Sequence, residues 1–366
     1  MKFRAAVLHR PGERLSVEEV ELGALQPGDV LVRLRASGLC HTDLEVMLGS
    51  LAYPMPIVLG HEGAGTVEAV GAGVTQVAKG DPVVLSWNPS CGRCYYCNLG
   101  QPILCEPFLK HQPAGHLLDG GSRLTIGGKK LHHYSVTSTH AEYTVVPEAG
   151  AIRVPKEIPF DRACLIGCGV MTGVGGAAKI AQVEPGASVA VIGCGAVGLN
   201  AVQGARLREA GKIIAIDRDE GRLSRSKVFG STDLIDAKDN PVEKIKTLTS
   251  GRGADVVLEC AGHESAFRLS TEIVRPGGKV VWLGKVNVNQ DVAFRWGSLM
   301  QEKRFTRSSY GGARPREDFP WLAGLYLEGK LKLDELIDRR LALEEINEGF
   351  DAMRANRVVR AVVVFS

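Results

Sequence analysis

The sequence predicts an α/β protein with two domains, a β-rich domain that resembles a barrel and a domain with a doubly wound parallel sheet. The length of 366 residues is typical of two domains of ordinary size. Residues 1–150 contain many short β-branched runs between turn signals, and this pattern favours a barrel over a parallel sheet. From about Cys168 onward, apolar strands alternate with helices, which indicates a doubly wound sheet.

The predicted elements follow two different patterns along the chain, short strands in the first part and alternating strands and helices in the second. Predicted strands of the first part are residues 4–8, 30–34, 65–70 and 81–85. Predicted strands and helices of the second part are residues 189–192, 196–210, 213–216, 220–229, 256–260 and 279–283. After about residue 305 the chain becomes helix-rich, and the apolar run 361–365 is predicted to return to the first domain. We therefore assign residues 1–167, completed by about 306–366, to one domain and residues 168–305 to the other.

Composition and charge argue against nucleic acid and membranes as partners. Hydrophobic residues make up 45% of the chain and charged residues 23%, as in soluble globular proteins. The net charge is +3 and no run of lysine or arginine occurs, so no strong attraction to a polyanion is expected. No stretch approaches about 18 apolar residues, and the N-terminus lacks the pattern of a secretory signal. We expect a cytoplasmic protein whose nine cysteines are metal ligands or buried thiols rather than disulfides.

A histidine and two distant cysteines predict a zinc site with an open position. Cys40 lies in GLCHTD, His61 in GHEG and Cys168 in GCG. Two thiolates and one imidazole suit a zinc ion that keeps its fourth position for water or substrate. Glu62, beside the histidine, is a candidate for an occasional fourth ligand or an outer-shell acid. The alternative is that His61 is an ordinary histidine and that both cysteines are buried small apolar residues.

Four cysteines in one short loop predict a second, closed zinc site. Cys91, Cys94, Cys97 and Cys105 follow the pattern C-x2-C-x2-C-x7-C. Four thiolates complete a tetrahedral zinc site, so this site is predicted to be structural. The spacing also loosely suggests an iron–sulfur cluster, but the Cys-Pro sequence and the second cysteine set of ferredoxins are missing. The remaining cysteines are expected to pack in the core; they are Cys164, Cys194 and Cys260.

A glycine motif in the second domain predicts a dinucleotide site. The sequence GCGAVG follows a predicted strand, opens a predicted helix and precedes Asp217 at the end of the next strand. The predicted cofactor contacts within the motif are Gly193, Gly195, Val197 and Gly198. Asp217 would bind the adenosine ribose and repel a 2′-phosphate, which favours NAD over NADP. The adjacent Arg218 would act in the opposite direction, because its positive charge would attract that phosphate. The alternative is a glycine-rich turn in an unrelated α/β domain.

The motifs, in this order and spacing, resemble those of the zinc-dependent medium-chain alcohol dehydrogenases, in particular the liver-type branch. The resemblance covers essentially the whole chain and includes STHAEYT at residues 138–144 and RPGG at residues 275–278. It implies a GroES-like β-barrel catalytic domain, a Rossmann cofactor domain, an active site in the cleft between them, and a homodimer or homotetramer. It further implies NAD and two zinc ions per subunit, one catalytic and one structural.

The resemblance also assigns roles to single residues. The catalytic zinc would be held by Cys40, His61 and Cys168. Asp43 would orient His61, and Thr42 would hydrogen-bond the substrate oxygen and begin a proton relay. The residues expected to contact the pyrophosphate, the nicotinamide and the adenosine ribose are His41, Thr172 and Arg222. Glu45 stands where the liver enzymes have the histidine that ends the relay, so Glu45 or a water would have to replace that histidine.

Two substrate classes fit the resemblance. Free primary alcohols (aliphatic, allylic or aromatic) are favoured, because no arginine-rich pocket for an anion is evident, and the thiol adduct of formaldehyde is the alternative. Trp87 falls at a substrate-pocket position, where its ring would narrow the slot, and Arg123 is a candidate for binding the carboxylate of a thiol. A non-enzymatic relative or a zinc-free reductase of the same fold would lack ligands that are present here.

Overall fold

The computed structural model describes residues 1–366, which form two compact units. Unit 1 comprises Met1–Cys168 and Arg314–Ser366, and unit 2 comprises Gly169–Ala313. Unit 1 contains a closed barrel and a second sheet, whereas unit 2 contains one parallel sheet with intervening helices. The predicted class, a β-barrel domain combined with a doubly wound parallel-sheet domain, is confirmed.

The first part of unit 1 is built from ten strands and four short helices. The strands are β1 (Lys2–Leu8), β2 (Ser16–Leu22), β3 (Asp29–Gly38), β4 (Ile57–Val58), β5 (Glu62–Val70), β6 (Pro82–Leu85), β7 (Leu124–Ile126), β8 (Lys129–His133), β9 (Tyr143–Pro147) and β10 (Ala151–Arg153). The helices are α1 (His41–Met47), α2 (Tyr95–Asn98), α3 (Glu106–His111) and α4 (Phe160–Leu165). Strands β1, β2, β7, β8 and β4 close the barrel. Side chains such as Phe3, Val20 and Leu131 share an apolar core beside it.

Unit 2 is a six-stranded parallel sheet in the order β13-β12-β11-β14-β15-β16. The strands are β11 (Ser188–Ile192), β12 (Lys212–Asp217), β13 (Asp233–Asp236), β14 (Ala254–Glu259), β15 (Val274–Trp282) and β16 (Arg304–Arg307). The helices are α5 (Met171–Gly175), α6 (Ala196–Leu207), α7 (Glu220–Phe229), α8 (Pro241–Leu248) and α9 (Glu264–Ile273). The central strand β11 is almost wholly buried, as its apolar sequence requires when helices cover both faces of a sheet.

The C-terminal segment belongs to unit 1 and completes its second sheet. Its elements are α10 (Pro315–Leu327), β17 (Ile337–Leu341), α11 (Ile346–Arg354) and β18 (Arg360–Val364). The sheet has the order β10-β6-β5-β3-β18-β17, with β9 paired to β3. Short 3-10 helices are Pro102–Leu104, Glu148–Gly150, Trp296–Leu299, Tyr310–Gly312, Asp334–Leu336 and Leu343–Glu345. Because β18 lies antiparallel to β3, the last strand supports the end of β3 that leads into α1.

One helical run departs from the sequence prediction. Phe160–Ile180 continues α4 through two π-helical turns and α5 for 21 residues, and by length and composition alone it could cross a membrane. The prediction that no stretch approaches this length and apolarity was therefore wrong. Most of the run is buried inside the protein, however, as in the core helix of a soluble protein.

Candidate active site

Four potential metal ligands from distant parts of unit 1 lie together. Cys40, His61, Glu62 and Cys168 each contribute one ligand atom, and these atoms all lie within 4.8 Å of one another. His61 and Glu62 are buried, and only 8% of the surface of Cys40 is exposed. Two thiols, one imidazole and one carboxylate fit a zinc ion, because zinc takes sulfur, nitrogen and oxygen ligands in a tetrahedral arrangement.

Strand pairing explains why the first two ligands meet. Gly38 of β3 lies opposite Glu62 of β5, so the chain leaves β3 at the same end of the sheet at which it enters β5. Cys40 follows β3 as the N-cap of α1, and His61 directly precedes β5. Cys168 lies in the π-helical turn after α4. Such turns occur frequently at functional sites.

The carboxylate of Asp43 fixes the orientation of His61. Nδ1 of His61 donates a hydrogen bond of 3.0 Å to Oδ1 of Asp43. The backbone N–H groups of Cys40 and Gly60 donate to the same carboxylate at 3.1 and 3.2 Å. Burial lowers the pKa of His61, but the charges of Asp43 and Cys40 outweigh burial and raise that pKa well above its ordinary value. Since Nδ1 is committed to Asp43, Nε2 is the nitrogen left for a metal.

The two thiols of the site interact with each other. A hydrogen bond from Cys168 lowers the pKa of Cys40 well below its ordinary value, although burial acts in the opposite direction. The same contact, together with burial, raises the pKa of Cys168 well above its ordinary value. Cys40 is therefore the thiol that ionises first. A thiolate is the form of cysteine that binds a metal.

A buried arginine, which the sequence reasoning did not identify, faces Glu62. Nη2 of Arg360 lies 3.0 Å from Oε1 of Glu62, although neither carboxylate oxygen has hydrogen-bond geometry. Nη1 of Arg360 donates to the carbonyl oxygen of Leu39 at 2.8 Å. Burial raises the pKa of Glu62 to about 7, against the opposing charge of Arg360. No local motif marks Arg360, because it reaches the site only through the pairing of β18 with β3.

Helix α1 carries the residues predicted to serve the proton relay. Thr42 is partly exposed, and its Oγ1 lies 3.8 Å from Sγ of Cys40. His41 is exposed at the start of the helix, and Glu45 is partly exposed one turn later. Because residues three apart on a helix share a face, Glu45 lies on the same side of α1 as Thr42.

Aromatic rings that were not predicted from the sequence lie beside the potential metal ligands. The ring of Tyr134 makes an edge contact with His61 at a centroid distance of 5.7 Å, and Tyr53 makes one with Tyr134 at 4.9 Å. Trp87, which was predicted to lie in the substrate pocket, is partly buried and contacts Phe108 at a centroid distance of 6.0 Å. Nothing in the sequence around these tyrosines indicates that they lie near His61, because only the fold brings them there.

The four-cysteine loop forms a second cluster of potential ligands. The thiol groups of Cys91, Cys94, Cys97 and Cys105 all lie within 4.8 Å of one another. Cys94 and Cys105 are the N-cap residues of α2 and α3, and the backbone N–H of Cys91 donates to Sγ of Cys105 at 3.2 Å. Burial alone would raise the pKa of Cys94, but hydrogen bonds from the backbone of Cys97 and Glu106 bring it down to about 7. Four thiols in this arrangement fit a structural zinc ion.

The glycine motif of unit 2 forms a tight turn between β11 and α6. Gly193 has φ = +92°, and a Cβ atom there would lie 2.8 Å from the backbone nitrogen of Ala261. A Cβ atom at Gly198 would lie 1.7 Å from the carbonyl oxygen of Gly193, so helix and strand pack closely only around glycine. Gly195 has open space around it, as the close approach of a ligand requires. Val197 lies in the first turn of α6.

The other predicted cofactor contacts of unit 2 lie near this turn or on helices of the same unit. Asp217 ends β12, and its Oδ2 accepts a hydrogen bond of 2.7 Å from the backbone N–H of Cys194 in the motif. The backbone N–H of Arg222 donates to Asp219, the N-cap of α7, at 2.8 Å. Thr172 lies in α5 and is 8% exposed. Arg218 is exposed beside Asp217.

Two family profiles match the chain in this order. The profile described as alcohol dehydrogenase GroES-like domain matches residues 26–156, and the profile described as zinc-binding dehydrogenase matches residues 196–328. The first match contains His61 and the four-cysteine loop, and the second contains Val197, Gly198 and Asp217. The predicted combination of a GroES-like barrel domain with a Rossmann cofactor domain is thereby confirmed.

Full-length relatives agree with the profiles. The chain is 38% identical to an alcohol dehydrogenase class-3 of Myxine glutinosa, over 98% of this chain and 97% of the relative. It is 37% identical to an S-(hydroxymethyl)glutathione dehydrogenase of Synechocystis, over 99% and 100%. The crystal structure of benzyl alcohol dehydrogenase from Acinetobacter calcoaceticus superposes with a TM-score of 0.95 at 32% identity, over 100% of both chains. The chain belongs to the zinc-dependent medium-chain alcohol dehydrogenases and is a zinc- and NAD-dependent oxidoreductase.

Proposed function

We propose that the chain oxidises free primary alcohols (aliphatic, allylic or aromatic) to aldehydes with NAD, and that it reduces aldehydes in the reverse direction. The observation that carries this proposal is the series of rings beside the metal ligands, in which Tyr134 contacts His61 and Tyr53 contacts Tyr134. Tyr134 is itself buried, and Tyr53, which is partly exposed, offers aromatic surface near these residues; such surface suits flat or short apolar substrates. The structural likeness to an enzyme named for benzyl alcohol supports the same class.

The surroundings of Arg123 also favour an uncharged substrate. Nε of Arg123 donates to Oδ2 of Asp29 at 2.6 Å, and Nη2 donates to Oδ2 of Asp119 at 2.5 Å. The side chain of Arg123 is only 8% exposed, and its guanidinium faces two carboxylates. An arginine whose charge is already matched in this way is a poor partner for the carboxylate of a thiol adduct.

Residues of unit 1 are proposed to hold the catalytic zinc and to shape its surroundings. The proposed ligands are Cys40, His61 and Cys168. Bound there, the zinc ion supplies Lewis acidity, which lowers the pKa of a substrate hydroxyl. Asp43 holds the imidazole of His61 through Nδ1, and Arg360 balances the charge of Glu62 next to the two thiols. Glu62 thereby remains an outer-shell acid or an occasional ligand.

The proton of the alcohol is proposed to leave along α1. Thr42 is the nearest hydroxyl to Cys40 on this helix, and it would accept the proton of the substrate hydroxyl and release its own hydroxyl proton toward solvent. Glu45, on the same face of α1, or a water molecule would complete the route to solvent. His41, exposed at the helix N-terminus, would face the pyrophosphate.

NAD, which supplies the hydride acceptor, is proposed to bind residues 168–305, the domain assigned from the sequence. The proposed contacts in the turn are Gly193, Gly195, Val197 and Gly198. Asp217 would accept the hydroxyl groups of the adenosine ribose, Arg222 would lie near that ribose, and Thr172 would lie near the nicotinamide. The N-terminus of α6 favours the phosphates.

Assembly and location complete the proposal. Val288, Trp296 and Met300 are large apolar side chains that are 87%, 76% and 55% exposed in unit 2. Covering such side chains against a second copy would remove apolar surface from water, so a homodimer or homotetramer is proposed. A cytoplasmic location is proposed from the cysteine usage described above.

The alternative is a thiol-dependent formaldehyde dehydrogenase, which the names of several relatives favour. The deciding experiment measures NADH formation with ethanol, longer primary alcohols, benzyl and cinnamyl alcohols, a secondary alcohol, and formaldehyde with and without glutathione. Turnover of free alcohols, with the highest kcat/KM for benzyl or cinnamyl alcohol, is expected. Activity restricted to formaldehyde plus glutathione would replace this proposal with the alternative.

A further inference from the structure

His140 is a fully buried polar side chain that none of the roles above uses. It lies in the segment before β9, which is held against the residues preceding His61: the backbone N–H of His140 donates to Leu59 and that of Thr139 donates to Gly60, both at 3.0 Å. Nδ1 of His140 lies 2.9 Å from Oγ of Ser37. Its Nε2 has no hydrogen-bond partner.

The unpartnered nitrogen faces the carboxylate that orients His61. Nε2 of His140 lies 3.8 Å from Oδ2 of Asp43. This distance is longer than a hydrogen bond, so the contact is a charge–dipole interaction. Asp43 already accepts from His61, Cys40 and Gly60. The imidazole of His140 thus faces Oδ2, which accepts from the backbone N–H of Cys40, whereas His61 and Gly60 donate to Oδ1.

Hydrogen bonding and charge together place the proton of His140 on Nε2. Burial lowers the pKa of His140 to about 4, so the ring is neutral near pH 7 and carries a single N–H. Oγ of Ser37 lies 2.7 Å from Oγ1 of Thr139, which lets Thr139 donate to Ser37 and Ser37 donate to Nδ1 of His140. The reverse tautomer would point the lone pair of Nε2 at a buried carboxylate, which is repulsive.

Gly60 makes this approach sterically feasible. Its φ is +92°, and a Cβ atom there would lie 2.5 Å from Oγ1 of Thr139 and 2.7 Å from Nδ1 of His140. Any other residue at this position would push the imidazole away from Ser37 and Asp43. The backbone that carries His61 is therefore shaped around the ring of His140.

We propose that His140 is a positioning residue for His61: its Nε2–H restrains the Asp43 carboxylate in the orientation in which that carboxylate accepts the Nδ1 hydrogen of His61. The order of contacts is Thr139, Ser37, His140, Asp43 and His61. Outer partners of this kind fix the tautomer and the ring orientation of a ligating histidine. The inference rests on the proposed assignment of His61 as a ligand of the catalytic zinc.

Three substitutions separate this role from packing. His140→Gln carries an amide N–H near the position of Nε2, whereas His140→Asn carries one near the position of Nδ1. His140→Phe keeps the ring volume and the contact with Phe350 but has no polar atom. A positioning role predicts that glutamine preserves function and that asparagine and phenylalanine do not, whereas a packing role predicts that phenylalanine is the best replacement.

The measurements use the zinc holoenzyme and the enzyme with cobalt(II) exchanged into the catalytic site. We expect zinc release to a chelator to be about tenfold faster in His140→Asn and His140→Phe, and within about twofold of wild type in His140→Gln. The ligand-field absorption of cobalt should shift in the first two variants and stay unchanged in the third. Equal behaviour of all three variants, or better retention by phenylalanine than by glutamine, would overturn the proposal.

A substitution at Ser37 tests the proposal even if the His140 variants do not fold. Ser37→Ala removes the hydroxyl that donates to Nδ1, and it should accelerate zinc release by about threefold with the ring still in place. Unchanged release in folded Ser37→Ala would contradict the proposal. If wild-type enzyme with exchanged cobalt lacked thiolate-to-cobalt charge-transfer absorption, the assignment of the catalytic site itself would fall, and the inference with it.

Discussion

The two metal clusters of unit 1 differ in how far apart their ligands lie along the chain and in how deeply they are buried. The four-cysteine cluster comes from 15 consecutive residues, and three of its four cysteines are partly exposed. The cluster around His61 draws on positions 40, 61, 62 and 168, and three of its four members are buried. One cluster requires only a loop to form, and the other requires an intact sheet.

This difference separates two uses of zinc. The four-cysteine loop contains exposed apolar residues such as Tyr95, Leu99 and Leu104, so the loop buries little and needs a metal to hold it. The His61 cluster is held by Asp43, Arg360 and the β3–β5 pair, which are contacts between protein groups. Loss of the first metal is expected to affect stability, and loss of the second is expected to affect chemistry.

Cys40→Ser is expected to have the largest effect on activity. Removing one proposed ligand should weaken zinc binding at the open site and lower kcat by at least about a thousand-fold, because a Lewis acid contributes several kcal/mol to such a reaction. NADH binding and the melting temperature should stay near those of wild type. The measurement combines steady-state kinetics with NADH titration, and normal turnover in a variant with a single zinc per subunit would refute the assignment.

Cys97→Ser is expected to have the next largest effect, on stability rather than chemistry. Without its fourth thiol the loop should lose its zinc, and the free energy of unfolding should fall by more than about 3 kcal/mol. Freshly prepared enzyme should keep much of its kcat, since the His61 cluster lies on other elements. The check is thermal unfolding together with zinc content, with Cys164→Ser, a core cysteine outside both clusters, as the control.

The same contrast explains what could be predicted from sequence. The four-cysteine loop is recognisable from the spacing of its cysteines, and the motif around Gly193 is recognisable from its position between a strand and a helix. The strands with long apolar runs, such as β3, β11 and β12, were also predicted within a few residues of their observed bounds. These features depend on residues that are neighbours in the chain.

Features that depend on distant pairing could not be predicted from residues alone. Arg360 reaches the site through β18 and Tyr134 through the segment after β8, and neither stands in a recognisable motif. His140 lies in STHAEYT, but that segment does not indicate that the ring packs against Gly60 and Asp43. Short strands such as β4, with two residues, carry too little pattern to detect. The membrane-span estimate failed at Phe160–Ile180, because small residues such as glycine and alanine make a buried helix as apolar as a spanning one.

Phe108→Leu is expected to have the smallest effect and tests whether the two clusters are independent. Phe108 lies three residues after Cys105, and its ring contacts that of Trp87, the residue predicted to lie in the substrate pocket, at a centroid distance of 6.0 Å. Losing one ring contact of about 1 kcal/mol should let Trp87 move and raise the KM for benzyl alcohol about threefold to fivefold. Zinc content, melting temperature and the kcat for ethanol should change little, because leucine keeps the site apolar and neither cluster loses a ligand. The measurement is KM and kcat for both alcohols, with Phe3→Leu, whose ring contacts Tyr143, as a control for loss of another ring from the same apolar core. A parallel fall in kcat for both alcohols, accompanied by loss of zinc, would show that the loop and the active site are one cooperative unit rather than two sites with separate tasks.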